Sequence, residues 1–385
     1  MSRATLPPNR RRFPATSHRH ATSDFSALML PESTHLLRRR IVAALLFIFF
    51  SFSCLLLFRT DNSRFPSSNS LAGQSTVFLS KDSDVISNEY SLENVLNKAA
   101  MEDKTVILTT LNEAWAAPNS IIDLFLESFR IGDRTRWLLN HLIIVALDQK
   151  AFIRCQARHT YCYLLATDAI DFHEEAYFMT PHYLKMMWKR IDFLRSVLEL
   201  GYNFVFTDAD IMWFRDPFPR FHKDADFQIA CDHFTGSFDD VQNRPNGGFN
   251  FVKSNNRSIE FYKFWYSSQE TYPGYHDQDV LNFIKVDPFI SDLGLKIKFL
   301  DTANFGGLCE PSKDLNKVCT MHANCCYGMN TKLNDIRIML QDWKYYLTLA
   351  PSLKRMSIIS WRVPQKCSLD SLKHPGSPEK SVQEN

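Results

Sequence analysis

Hydrophobic positions in this chain fall into short unbroken runs separated by stretches of helical spacing. Thr105-Val-Ile-Leu-Thr-Thr110, the apolar stretch at 141–147, Tyr161-Cys-Tyr-Leu-Leu-Ala166 and Asn203-Phe-Val-Phe-Thr-Asp-Ala-Asp210 read as strands, the apolar runs being buried. Between them, 91–101 and 119–132 carry a period near 3.6, and 181–201 gives a long amphipathic helix that stops at Gly201. Strand and helix in alternation predict an α/β domain with a mostly parallel central sheet and helices on both faces. In such sheets ligands sit beyond the carboxyl ends of the strands.

The ends of the chain break this rhythm. Residues 41–58, IVAALLFIFFSFSCLLLF, are uncharged and follow Arg38-Arg39-Arg40. Eighteen residues at a rise of about 1.5 Å span roughly 27 Å, enough for a thin bilayer. The run is longer and later than the apolar region of a cleaved signal peptide, so it predicts an uncleaved single-pass anchor. Arginine-rich residues 1–40 then form a cytosolic tail, and the bulk of the chain is lumenal, a type II topology that fits the Golgi membrane. Serine-rich 59–90 reads as a flexible stem, 91–365 as the folded domain and 366–385 as a flexible polar tail.

Composition changes this picture little. The 385 residues are 45% apolar and 22% charged, with 31 Phe, ordinary proportions for a domain with a large core. A net charge of +2 gives no whole-protein case for nucleic acid. Cys54 lies in the apolar span. The other eight cysteines suit an oxidising lumen, where some would pair, and no C-x-x-C pair suggests zinc. Asn256-Arg257-Ser258 is an N-glycosylation acceptor.

Chemistry concentrates where the apolar run at 204–206 meets Asp208-Ala209-Asp210. Two acids at a buried strand end need a partner. Spaced i and i+2 on a kinked segment, they can both reach one hard cation, magnesium or manganese, with positions left for phosphate oxygens. A haloacid-dehalogenase phosphatase also places D-x-D after an apolar strand, but near the start of its domain, and Met212 stands where it carries Thr or Val.

The motifs TDADIMWFRDP, NGGFNFV, HDQDVLN and MHANCC, across residues 90–362, resemble plant glycosyltransferase family 77. This is a nucleotide-diphospho-sugar transferase group of GT-A fold, a Rossmann-like sheet architecture. The resemblance implies that Asp208 and Asp210 hold Mn2+ or Mg2+ on the diphosphate of a UDP-sugar donor. It implies transfer of xylose, galactose or arabinofuranose, with retention of configuration, to a cell-wall polysaccharide or glycoprotein acceptor. His322 becomes a third metal ligand and Lys332, with Gly328, a phosphate contact. Asn246, Gly247 and Gly248 are expected near the donor, as close backbone approach suits the glycines. Asp277, Gln278 and Asp279 are expected at the sugar, although the same residues read equally as a helix N-terminus. Thr110 and Asn112 end the first strand, where a nucleotide lodges. Lys189, preferred over Arg190 on the preceding helix, is expected to meet the diphosphate. Trp213 and Phe214 read as core. The Golgi setting allows homo- or hetero-oligomers. The competing reading is a non-catalytic Golgi binding or scaffold protein that keeps the fold.

Overall fold

The computed structural model describes residues 91–165, 179–356 and 359–367. The expected cytosolic tail, anchor and stem, and the tail beyond 367, lie outside the described residues. Among the described residues no helix is long and apolar enough to cross a membrane.

The strands are β1 (Thr105–Leu111), β2 (Leu142–Ala146), β3 (Cys162–Leu164), β4 (Asn203–Thr207), β5 (Ile211–Trp213), β6 (Phe227–His233), β7 (Arg244–Val252), β8 (Ile297–Phe299), β9 (Phe305–Gly307) and β10 (Thr320–His322). The helices that bear on the site are α1 (Leu92–Ala99), α2 (Glu113–Ala116), α3 (Ile121–Ile131), α4 (Gln149–Gln156), α5 (Pro181–Glu199), α6 (Asn256–Ser267), α7 (Asp277–Ile284), α8 (Pro288–Leu293) and α9 (Met329–Thr348).

A seven-stranded sheet runs β3-β2-β1-β4-β7-β6-β8, and a three-stranded sheet runs β5-β10-β9. β1 lies parallel to β2 and to β4, with Ile107 opposite Leu142 and Val106 opposite Phe204. The apolar runs alternate between two cores. Ile107, Leu142, Ile144 and Val205 point to one face, while Val106, Ile143, Phe204 and Phe206 point to the other. Both faces are covered, which is why these strands lack the polar alternation of a half-exposed sheet.

Helix boundaries follow local chemistry. Thr180 caps α5 by accepting from the Tyr183 N–H, and Pro181 occupies its first turn. The helix ends before Gly201, whose φ of 84° favours glycine.

Two expectations are corrected. The strand expected over 203–210 stops at Thr207, and the Asp208 N–H donates to the Gly248 carbonyl at 2.7 Å. The sheet is mostly parallel, as expected, with β7 inserted antiparallel between β4 and β6, so Phe206 lies opposite Asn250. The tail expected to be flexible from 366 is pinned at its start. The Asp335 carboxylate accepts from the Gln365, Lys366 and Cys367 N–H groups, and Cys367 is bonded to Cys326. The other disulfides join Cys155 to Cys162 and Cys309 to Cys325, leaving Cys231 and Cys319 buried and free. Trp213 and Phe214 are core.

Candidate active site

A cavity of about 370 Å³ opens at the carboxyl ends of β1 and β4. Its deepest polar feature forms because β4 ends at Thr207 and the chain turns, the Ile211 N–H donating to the Asp208 carbonyl at 3.1 Å. Asp208 and Asp210 are thereby brought to one place. β5 pairs antiparallel with β10, setting Ile211 opposite His322 and so carrying the imidazole to the two carboxylates. Asp208, Asp210 and His322 each offer a ligand atom within 4.8 Å of the others.

The donor set suits a hard or borderline divalent ion, two oxygens and one imidazole nitrogen. Two observations make the fit specific. The Asp210 Oδ1 is buried and has no hydrogen-bond partner. A Cβ at Gly248 would lie 2.6 Å from the Asp208 Oδ2 and 2.7 Å from the His322 Cε1, so only glycine lets β7 pass this close to the ligand atoms.

Charge is densely compensated around these ligands. Lys332, in the first turn of α9, reaches the Asp210 Oδ2 at 2.5 Å, with its ammonium 5.1 Å from the Trp115 ring centre. His322 Nε2 lies 3.2 Å from the Asp210 Oδ1. Burial works to raise the Asp210 pKa, but the Lys332 ammonium and His322 outweigh it and hold the carboxyl well below the usual range. Asp208 shows the opposite balance. Burial raises its pKa, and the Arg190 guanidinium only partly offsets this. Burial works to lower the His322 pKa, and the adjoining Asp210 carboxylate carries it above the ordinary imidazole value.

Arg190 is a residue the sequence reading passed over. It sits on α5 with 6% of its side chain exposed, donating from Nη1 to the Asp208 Oδ1 at 3.1 Å and from Nη2 to the Asp277 Oδ2 at 2.5 Å. Lys189, the expected contact, lies on the neighbouring face 3.9 Å from Asp192 and does not line the cavity. The signal was present in the spacing. Met187, Arg190, Ile191, Leu194, Val197 and Leu198 form one buried stripe, and a charge on such a stripe must have a buried partner.

The other expected residues divide. Asp277 is 1% exposed, and it pairs with Arg190 on the buried side of α7. Burial pushes its pKa up, but Arg190 and His276 prevail and lower it. Asp279 faces outward, 41% exposed, beside the His276 Nε2 at 3.3 Å, and does not line the cavity. His276 serves as the N-cap of α7, its Nδ1 accepting from the Gln278 N–H. Gln278, Asn246, Gly248 and Thr110 line the cavity, while Gly247 lies behind it and donates its N–H to the Gln278 Oε1 at 3.0 Å. Asn112 also lines it, although its Oδ1 caps α2 by accepting from the Trp115 N–H. Asn256 is exposed at the start of α6, and Ser258 of the same acceptor sequence is buried in the capping box.

A second residue escaped the sequence reading. Asp232, at the end of β6, enters the cavity and accepts from the Asn246 and Asn324 side-chain amides at 2.8 Å each and from Gln278 at 2.9 Å. It follows an apolar run, Phe227-Gln-Ile-Ala-Cys231, as Asp208 follows its own.

Comparison with known proteins gives this geometry a family. The nucleotide-diphospho-sugar transferase profile matches residues 137–336. An uncharacterized protein of Arabidopsis thaliana is 52% identical over 277 residues, covering 72% of this chain and 73% of that protein. Arabinosyltransferase RRA2 of Arabidopsis thaliana is 26% identical over 163 residues, covering 41% of this chain and 35% of the relative. Among solved structures, the galactosyltransferase LgtC with donor and acceptor sugar analogues aligns over 66% of this chain and 99% of that one, with 12% identity and a TM-score of 0.36.

Proposed function

This chain belongs to the nucleotide-diphospho-sugar transferase family and is a glycosyltransferase, and we propose that it is a metal-dependent, retaining enzyme of the Golgi lumen using a UDP-sugar. Arabinofuranose is the first choice of sugar because two relatives are named as arabinosyltransferases; xylose and galactose follow. The acceptor is a cell-wall polysaccharide or glycoprotein. One observation carries the reading: Asp208, Asp210 and His322 converge at the cavity with Lys332 beside them. A scaffold protein would have no use for a buried carboxylate oxygen that accepts no hydrogen bond and lies 3.2 Å from an imidazole nitrogen.

Asp208, Asp210 and His322 would hold Mn2+ or Mg2+, which when bound supplies Lewis-acid stabilisation of the departing diphosphate. Lys332 brings a second positive charge to the same diphosphate. Arg190 holds Asp208 and Asp277 in place and favours the ionised form of Asp277. No glutamate lines the cavity among the described residues, which favours front-face displacement over a covalent glycosyl-glutamate. The bond from the anomeric carbon to the diphosphate breaks, the acceptor oxygen bonds to that carbon on the same face, and the leaving phosphate oxygen takes the acceptor proton.

A type II anchor at 41–58 and a lumenal domain fit the three disulfides of the described residues. The test is a panel of UDP-sugars, titrated with and without Mn2+ and followed by thermal stability and donor hydrolysis. One UDP-sugar is expected to stabilise the protein only with the ion, and Asp208→Asn and Asp210→Asn are expected to abolish the effect. A folded protein indifferent to every donor would favour the scaffold reading.

A further inference from the structure

We propose that Asp232 is a positioning residue that fixes the hydrogen-bonding polarity of the cavity floor where the transferred sugar lies. Three primary amides meet one carboxylate there. Asn246 Nδ2 and Asn324 Nδ2 donate to the Asp232 Oδ1, both at 2.8 Å, and Gln278 Nε2 donates to the Oδ2 at 2.9 Å. A carboxylate only accepts, so all three amides must turn their nitrogens toward it. Their carbonyls then have nowhere to go but the backbone. Asn246 Oδ1 accepts from the Gly248 N–H at 2.9 Å, Gln278 Oε1 from the Gly247 N–H at 3.0 Å and Asn324 Oδ1 from the Cys309 N–H at 3.2 Å. One acid thus sets the orientation of three side chains carried by β7, α7 and the segment after β10.

Each amide has two N–H bonds, and the network consumes one from each. Each amide keeps one further N–H, and each amide oxygen and the Asp232 Oδ2 keep a further lone pair, so the orientation that Asp232 imposes decides which of these a ligand meets. Asp232 is the complementary group, a carboxylate held by charge-assisted hydrogen bonds and, among the described residues, paired with amides rather than with a cation, and so unlike Asp208, Asp210 and Asp277. This floor adjoins the Asp208, Asp210 and His322 cluster within one cavity. If the diphosphate lies at that cluster, the sugar lies against the amides. The inference therefore rests on the transferase reading.

Replacing Asp232 with Asn puts an amide nitrogen against either Gln278 or the asparagine pair, N–H facing N–H. The double variant Asp232→Asn/Gln278→Glu repairs this arrangement. The new Asn Oδ1 accepts from Asn246 and Asn324, its Nδ2 donates to the new carboxylate, and that carboxylate still accepts from the Gly247 N–H. Using the purified full-length chain, UDP binding with Mn2+, UDP-sugar binding with Mn2+, kcat and melting temperature are measured for wild type and both variants. Asp232→Asn is expected to leave UDP affinity within about threefold while UDP-sugar affinity or kcat falls roughly 30-fold. The double variant is expected to recover the melting temperature, while UDP-sugar affinity and kcat stay below wild type because Gln278→Glu removes the second N–H that Gln278 offers the sugar. Equal UDP-sugar affinity and kcat in wild type and Asp232→Asn would overturn the proposal. So would parallel losses of UDP and UDP-sugar binding, or a double variant whose melting temperature is no better than that of the single one. A wild-type chain that binds no UDP with Mn2+ would instead sink the transferase reading.

Discussion

Arg190→Met removes the one cation that touches both Asp208 and Asp277 while keeping much of the side-chain volume beside the Phe206 ring, 4.9 Å from the guanidinium carbon. Asp277 is 1% exposed and would be left charged without its ionic partner. Breaking a buried pair from one side costs about 3–5 kcal/mol, far more than the pair is worth against an apolar substitute. For a domain of this size that is a fall in melting temperature of roughly 6–20 °C. The sign of the pH dependence follows from Asp277. In the wild type its folded pKa is depressed, burial being outweighed by Arg190, so its stabilisation is present above the unfolded carboxyl pKa and lost as pH falls through the folded value. Without Arg190, only His276 still opposes burial, and the folded pKa of Asp277 rises. The deficit of Arg190→Met is then largest at neutral pH and shrinks as Asp277 takes up a proton. Denaturant melts of wild type, Arg190→Met, Asp277→Asn and the double variant form a thermodynamic cycle. The double variant is expected to lose less than the sum of the singles by about 2 kcal/mol or more. Additive losses, or a deficit unchanged between neutral and acid pH, would refute the buried-pair argument.

Gly248→Ala places a Cβ 2.6 Å from the Asp208 Oδ2. It is expected to weaken Mn2+ binding roughly 10–100-fold by moving a ligand, measured by calorimetry. Cys326→Ser/Cys367→Ser opens a link with a sequence separation of 41; chain entropy gives a loss of about 4 kcal/mol, read as a denaturant midpoint shift that reducing agent reproduces in the wild type. Asp226 is 4% exposed and accepts from Arg257 at 2.8 and 2.9 Å, from Asn255 at 2.9 Å and from the Lys296 N–H at 3.0 Å. These donors lower its pKa against the upward push of burial. The depressed value makes its stabilisation fully present above the unfolded carboxyl pKa, so Asp226→Asn is expected to cost about 2 kcal/mol at neutral pH. That difference should close as pH falls through the folded value, which melts across an acid series would show.

The fold was legible where burial is two-sided. Runs such as Thr105–Leu111 and Leu142–Ala146 are apolar because helices cover both faces, and no other local arrangement explains them. The antiparallel insertion of β7 was not legible. Asn-Gly in Arg244-Pro-Asn-Gly-Gly-Phe-Asn-Phe-Val252 favours a turn before a short strand, yet all nine residues form the strand, and Gly248 serves close approach rather than a turn. Asn-Gly carries a turn preference that the ligand cluster overrides, since a side chain at 248 would occupy the space of the Asp208 carboxylate.

Site residues divided by the range of the interaction that defines them. Asp208 and Asp210 were visible because their spacing is local, two residues across one bend. His322 and Lys332 were reached only through resemblance. Their nearness to Asp210 comes from the pairing of β10 with β5 and from the first turn of α9, contacts that span more than a hundred residues. Arg190 and Asp232 needed neither. An arginine on a buried stripe and an aspartate ending an apolar run each advertise a buried partner, because neither charge can be desolvated alone. The sequence therefore reports that a partner exists before it reports which one. Here Arg190 takes Asp208 and Asp277, and Asp232 takes three neutral amides. That contrast divides one cavity into two regions: ionic pairs surround Asp208 and Asp210, and at Asp232 a single acid orders three amides.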